Sequence, residues 1–137
     1  MNKNTHIWEA EVRDYEVDLQ GIVNNSVYFN YYEHARHIYI KTLGIDFYEW
    51  HLKGYELVLI HSDVSYKGSL KSGDSFCVTT NLSLISRLKF AFNQQITRKS
   101  DNKLINVAIN TATCINKNGR PEIPEELAAL LLKIAVA

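Results

Sequence analysis

Apolar and polar residues alternate over residues 7–14, with Trp8, Ala10 and Val12 on one side and Glu9, Glu11 and Arg13 on the other. A period of two predicts a half-buried strand. It runs out into a loop over residues 15–21. Asn24, Asn25 and Ser26 then offer side chains suited to starting a helix, which the pattern carries to about Leu43, with Gly44 as its stop. Tyr28, Tyr31, Ala35, Ile38 and Thr42 share one side of that helix, and Phe29, Tyr32, Tyr39, Ile40 and Leu43 cover much of the rest. A helix so apolar around its circumference predicts wrapping by other structure.

A short helical connection is predicted over 47–53, and four strands follow. The first is Glu56–Tyr66, closed by a turn at Lys71-Ser72-Gly73-Asp74. The second, Ser75–Ile85, keeps Phe76, Val78, Leu82 and Leu84 in step. The third, Leu88–Arg98, does so with Leu88, Phe90, Phe92 and Ile96. The fourth, Lys103–Asn116, places Ile105, Val107, Ile109 and Ile115 on one face. Short turns between them predict an antiparallel meander. From Pro124 to Lys133 a second helix is expected, with Pro124 at its first position and Glu125 and Glu126 at its positive end. The fold class is therefore α+β: a five-stranded antiparallel sheet wrapped around a long central helix, with a short C-terminal helix. Uncovered sheet edges imply a partner subunit.

Length and composition narrow the function. The 137 residues suit one domain, 1–137, and 46% apolar residues suffice for one core. Fifteen basic and fifteen acidic residues cancel, leaving no footprint for nucleic acid. No stretch reaches the ~20 apolar residues of a membrane span. The polar start, Met1 to His6, lacks a signal-peptide core, which predicts a cytoplasmic protein. Cys77 and Cys114 read as small core residues of a reducing compartment.

No G-x-S-x-G elbow and no G-x-G-x-x-G fingerprint occurs, and Asp74 follows Gly73 where a phosphate loop needs Lys. His34 and His37 could share a metal, but no third ligand is in view, so neither metal nor cofactor is expected. One constellation remains. Asp18 lies in a loop that leads, seven residues on, to Asn25 at the mouth of the long helix. First-turn N–H groups lack internal partners and carry partial positive charge, so they can hold an oxyanion. A carboxylate opposite them could attack an acyl carbonyl or activate water to do so. A loop Asp and an Asn pair before a helix equally describe a turn former and a cap.

The run Tyr15-Glu16-Val17-Asp18-Leu19-Gln20-Gly21-Ile22-Val23-Asn24-Asn25-Ser26-Val27-Tyr28, continued by Tyr32-Glu33-His34-Ala35-Arg36 and Leu43-Gly44, resembles the signature of the 4-hydroxybenzoyl-CoA thioesterase family. The likeness extends through the Gly73-Asp74 turn to Gly119-Arg120-Pro121. It implies the hotdog fold and an acyl-CoA thioesterase that hydrolyses an acyl or aromatic acyl thioester. It assigns Asp18 as nucleophile or general base and the backbone N–H at Asn25 as the oxyanion donor. The Asn24-Asn25 pair is similar to the Val-Asn-Asn variant of long-chain acyl thioesterases and their plant acyl-carrier-protein relatives. That variant usually has a His where Ile22 stands, so the sequence mixes features of two branches.

Glu33 and Arg36 match charged positions of the family's central helix and read as a structural ion pair at a subunit interface, with Glu33 a second candidate base. Asn24, Tyr28, Tyr32 and Phe90 are candidates beside the acyl group. Lys67, Lys71, Arg87 and Lys89 are candidates for the coenzyme phosphates, which need Lys or Arg. The expected partners are the acyl-CoA substrate and further copies of the chain, as a dimer or a dimer of dimers; a homotetramer is the family's commonest form. The competing functions are an acyl-carrier-protein thioesterase, which needs a basic docking patch, and a non-catalytic protein that binds acyl thioesters. A hotdog dehydratase would need a catalytic His, and none stands near the Asp18–Asn25 loop.

Overall fold

In the computed structural model, which describes residues 4–136 and side chains through 134, the long helix α1 spans Asn25–Thr42. Its start is set by Asn24, whose side-chain oxygen accepts from Ser26 N at 3.0 Å. Its end is set by Gly44 at φ +82°, a left-handed turn that favours glycine. Five strands accompany it: β1 His6–Glu11, β2 Glu56–Tyr66, β3 Ser75–Ser86, β4 Lys89–Arg98 and β5 Leu104–Ile115. Two shorter helices follow the expectation, α2 at Phe47–Leu52 and α3 at Glu125–Val136. The residues between β1 and α1 are not all loop: Asp14–Glu16 form a 3-10 turn. No helix among the described residues is long and apolar enough to cross a membrane.

The strands form one antiparallel sheet in the order β1-β3-β4-β5-β2. The meander of β3, β4 and β5 fills the middle, and β1 and β2 are the edges. α1 lies against the inner face, burying Tyr28, Tyr31, Tyr32, Ala35, Tyr39 and Ile40. Its opposite side, with Phe29, Glu33, His34 and His37, is exposed, so the sheet covers one flank of the helix and does not encircle it.

The face expected for β5 needs correction. Asn106, Ala108, Asn110, Ala112 and Cys114 point inward, while Ile109 is exposed. The cause is a bulge: Ile96 pairs with Asn106 and Thr97 with Leu104, which leaves Ile105 as the extra residue. A bulge reverses the parity of everything beyond it, so Ile105 enters the core while Val107 and Ile109 turn outward.

The core has two clusters. One gathers Val12, Val23, Tyr28, Tyr31, Tyr32, Leu70, Phe76, Val78 and Ile96 near the start of α1. The other gathers Tyr39, Ile40, Trp50, Leu82, Phe90, Phe92, Leu127 and Leu131 near its end. A polar layer lies between them. Along β3, Thr80 separates Val78 from Leu82; along β4, Gln94 separates Ile96 from Phe92; along β5, Asn110 separates Ala108 from Ala112. Gln94 is the hub. Its amide nitrogen donates to Tyr32 O and Thr80 Oγ1, each at 3.0 Å. Its oxygen accepts from Arg36 Nη1 at 3.1 Å and Asn110 Nδ2 at 2.9 Å. All four of its hydrogen-bonding positions are thus used.

Candidate active site

Asp18 sits at the neck of a short excursion between the 3-10 turn and α1. Asp18 N donates to Ile22 O at 2.9 Å, Gly21 N to Asp18 O at 3.0 Å, and Val17 pairs with Val23 as an isolated bridge. Gly21, at φ +78°, closes the turn. Val23, buried, donates to Leu70 O at 2.8 Å, which fixes the excursion to the segment between β2 and β3. The half-buried Asp18 side chain accepts from Gln20 N through Oδ1 at 2.8 Å. Its other oxygen has no hydrogen-bond partner among the described residues.

The chain then enters α1. Asn24 N donates to Glu16 O at 3.0 Å, and the Asn24 side chain caps the helix. Ser26 N goes to the cap and Val27 N to Asn24 O at 2.9 Å. The exposed Asn25 keeps a backbone N–H with no acceptor among the described residues. A carboxylate oxygen and a polarised N–H are therefore left open on two segments joined by the Val17–Val23 bridge. Such a pair can place a nucleophile or base beside a carbonyl whose oxygen is hydrogen-bonded.

A groove of about 560 Å³ runs between α1 and β2, lined by Phe29, Glu33, Arg36, His37, Ile40, Phe47, Glu56, Leu57, Leu59 and Phe92. Asn25 lies one turn before Phe29 on α1, and neither Asn25 nor Asp18 is among the residues that line the groove. Arg36 is the half-buried cation within it, its guanidinium 5.9 Å from the Phe92 ring centre. Burial pulls its pKa below the ordinary arginine value, opposed by the charge of Glu33.

The other expected site residues fall in different places. Glu33 lines the groove and is exposed. No ion pair joins it to Arg36 within 4 Å among the described residues, because the guanidinium turns inward to Gln94. Tyr28 and Tyr32 do not line the groove; both are core residues. Tyr28 Oη accepts from Leu70 N at 3.4 Å, and Tyr32 Oη donates to Asn106 Oδ1 at 2.6 Å. Desolvation raises both phenol pKa values above the ordinary one. Phe90 is buried in the far cluster. Lys67 and Lys71 flank Leu70 and lie at the Asp18 end. Arg87, in the β3–β4 turn, and Lys89, at the start of β4, lie at the opposite end, roughly 35 Å away along β3, so a single chain does not bring them to Asp18. His34 packs on Trp8, and His37 on Phe47; no metal-ligating group of three occurs among the described residues.

Glu16 is the site-end residue that sequence reasoning passed over. Only 7% exposed, it accepts from Arg13 N at 2.8 Å, Arg13 Nη1 at 3.3 Å and Tyr31 Oη at 2.9 Å. An acidic residue three after the one whose N–H it accepts is half of a capping box, the only local signal available. Its bond to Tyr31 crosses 15 residues, and no local pattern encodes that.

Residues 12–131 match the thioesterase-like superfamily. A putative esterase of Aquifex aeolicus is 39% identical over 127 residues, covering 91% of this chain and 96% of the relative. A chloroplastic acyl-acyl carrier protein thioesterase of Arabidopsis thaliana is 36% identical over 116 residues, 85% of this chain; the chain spans 62% of that relative's length. The crystal structure of a 1,4-dihydroxy-2-naphthoyl-CoA thioesterase from Synechocystis superposes with a TM-score of 0.86, covering 93% of this chain and 96% of that one, at 16% identity. At that identity the likeness speaks for the fold.

Proposed function

The chain belongs to the thioesterase-like superfamily and has its hotdog fold, and on that premise we propose that it hydrolyses acyl thioesters of coenzyme A. The observation that carries this reading is the open pair at the start of α1: the Asp18 oxygen and the Asn25 N–H that have no partner among the described residues, on segments joined by the Val17–Val23 bridge. The thioester carbonyl oxygen accepts from Asn25 N–H, and the acyl group runs along the groove past Phe29 toward Phe92. Asp18 either attacks the carbonyl carbon or takes a proton from a water that attacks it. The C–S bond breaks and coenzyme A leaves as thiolate, a good leaving group that asks little of a general acid. Water supplies the hydroxyl of the free acid and the proton that the thiolate finally takes up.

A second reading, hydrolysis of acyl-carrier-protein thioesters, draws support from the likeness to the plant acyl-acyl carrier protein thioesterase. In both readings the chain works as a homo-oligomer. The edge strand β2 supports this: it is eleven residues long, with Leu59, Ile60 and Tyr66 exposed at 40%, 47% and 48%, and an open edge of that length invites pairing with a second copy. Asp18, Asn24, Asn25, Glu33 and Lys67 are the polar residues assigned to the site.

The test is thiol release from short, long and aromatic acyl-CoA substrates and from acyl-carrier-protein thioesters, with Asp18→Asn beside the wild type. Turnover by the wild type that collapses in the variant supports the reading. No turnover on any substrate leaves a binding protein instead.

A further inference from the structure

We propose that Glu16 is a positioning residue for the Asp18 carboxylate, holding the Asp18 loop at a fixed place relative to the start of α1. The proposal rests on the assignment of Asp18 and Asn25 above and adds what sets their geometry. The loop and the helix terminus belong to different segments, and the bond between their backbones is short: the Val17–Val23 bridge and Asn24 N to Glu16 O. That ladder and the Val23 N–Leu70 O bond tie the backbones where the loop meets the helix. The Glu16 side chain adds a tie from the segment before Asp18 to the body of α1. Its Oε1 accepts from Arg13 N, just past the end of β1, and from Tyr31 Oη on the second turn of α1, at 2.8 and 2.9 Å. One oxygen atom thus clamps the segment before Asp18 to the helix after it.

The clamp is buried and stiff. Tyr31 is 3% exposed and packs against Phe76, with ring centres 4.5 Å apart, and against Trp8 and Tyr28. Its hydroxyl therefore presents itself at one point, and the carboxylate must come to it. Arg13 Nη1 approaches the outer oxygen at 3.3 Å from an exposed position, so it adds charge balance and little geometry. Glu16 touches neither substrate nor reacting atoms in this scheme. Its effect on catalysis passes through the placement of Asp18, two residues on. Displacements of about 1 Å can cost on the order of a hundredfold in rate.

The two acceptor roles fall on one oxygen, which makes the hypothesis sharp. Glu16→Gln keeps a carbonyl oxygen for both Arg13 N and Tyr31 Oη and loses the charge together with the Arg13 Nη1 contact. Glu16→Ala loses both contacts, and Tyr31→Phe loses one while leaving the packing of the ring. The experiment measures kcat and KM per folded enzyme for these three variants, together with amide hydrogen exchange at Asp18 N and Asn24 N. The expected order of kcat is wild type, then Glu16→Gln within about threefold, then Tyr31→Phe, then Glu16→Ala at least about tenfold down, with KM within about twofold throughout. Exchange at the two amides should quicken in Glu16→Ala while the central strands stay protected. Wild-type kcat in folded Glu16→Ala and Tyr31→Phe overturns the proposal. So does a Gln variant as impaired as the Ala variant, since charge and not position would then matter. Should the wild type hydrolyse no thioester, the functional reading falls by itself, and exchange at Asn24 N still decides whether Glu16 holds the loop.

Discussion

At its N-terminal end α1 is tied by polar groups: Asn24 over Ser26 N, Glu16 to Tyr31, Leu70 N to Tyr28. At its C-terminal end it is held by bulk, with Tyr39 and Ile40 packed among Phe90, Phe92, Trp50, Leu127 and Leu131. Hydrogen bonds are directional and individually modest in net stability, about 1 kcal/mol each. Buried aromatics contribute more and specify position less sharply. Both ends are packed on the sheet, and the first adds directional bonds suited to placing atoms for chemistry.

That difference can be tested by breaking each end separately. The largest effect is expected from Asp18→Asn, which preserves the acceptor for Gln20 N yet should lower kcat at least about a hundredfold; unfolding in urea should be unchanged. Next, Phe90→Ala at the far end should cost about 3–5 kcal/mol of stability while kcat of the folded enzyme stays within about twofold, as read by denaturant titration beside initial rates. A matching loss of kcat would erase the distinction between the ends.

Gln94→Leu cuts the layer between the ends. It strands Arg36 and Asn110 on one side and Tyr32 O and Thr80 on the other, so a loss of about 2–4 kcal/mol is expected, larger than for most single hydrogen-bond deletions. The smallest effect belongs to Asp101. Its hydrogen bonds to the Arg98 guanidinium hold its carboxyl down at about 2, below the ordinary 3.8. A folded-state value below the unfolded one gives a contribution present above about pH 4 and lost as pH falls through 2. Asp101→Asn should therefore lower stability slightly at neutral pH, leave it unaltered below about pH 2, and so flatten the acid limb of a stability–pH curve.

Much of this was legible in the chain. The bounds of α1 follow from Asn24 and Gly44, and β2 runs over Glu56–Tyr66, the bounds expected. Gly21 and the Asn24 cap, between Asp18 and Asn25, mark the turn and the helix start there. What escaped is non-local or set by one irregularity. Arg36 chooses Gln94, 58 residues away, over Glu33 three residues away. The inward face of β5 depends on the bulge at Ile105, and Val107 and Ile109 look as fit for a core as Ala108 and Ala112 do. The 3-10 turn at Asp14–Glu16 is too short to leave a periodicity.

The buried layer around Gln94 also bears on how the strands find their alignment during folding. Alternation of apolar and polar residues forbids β4 to slip by one residue against its neighbours, since that would turn Phe92 and Ile96 to the outer face. It does not forbid a slip of two, which restores the alternation. Such a slip would carry Phe92 or Ile96 into the place of Gln94, opposite Thr80 and Ala108, and leave Arg36 facing hydrocarbon. Odd errors are thus excluded by the stripes of the sheet, and even ones by a single amide.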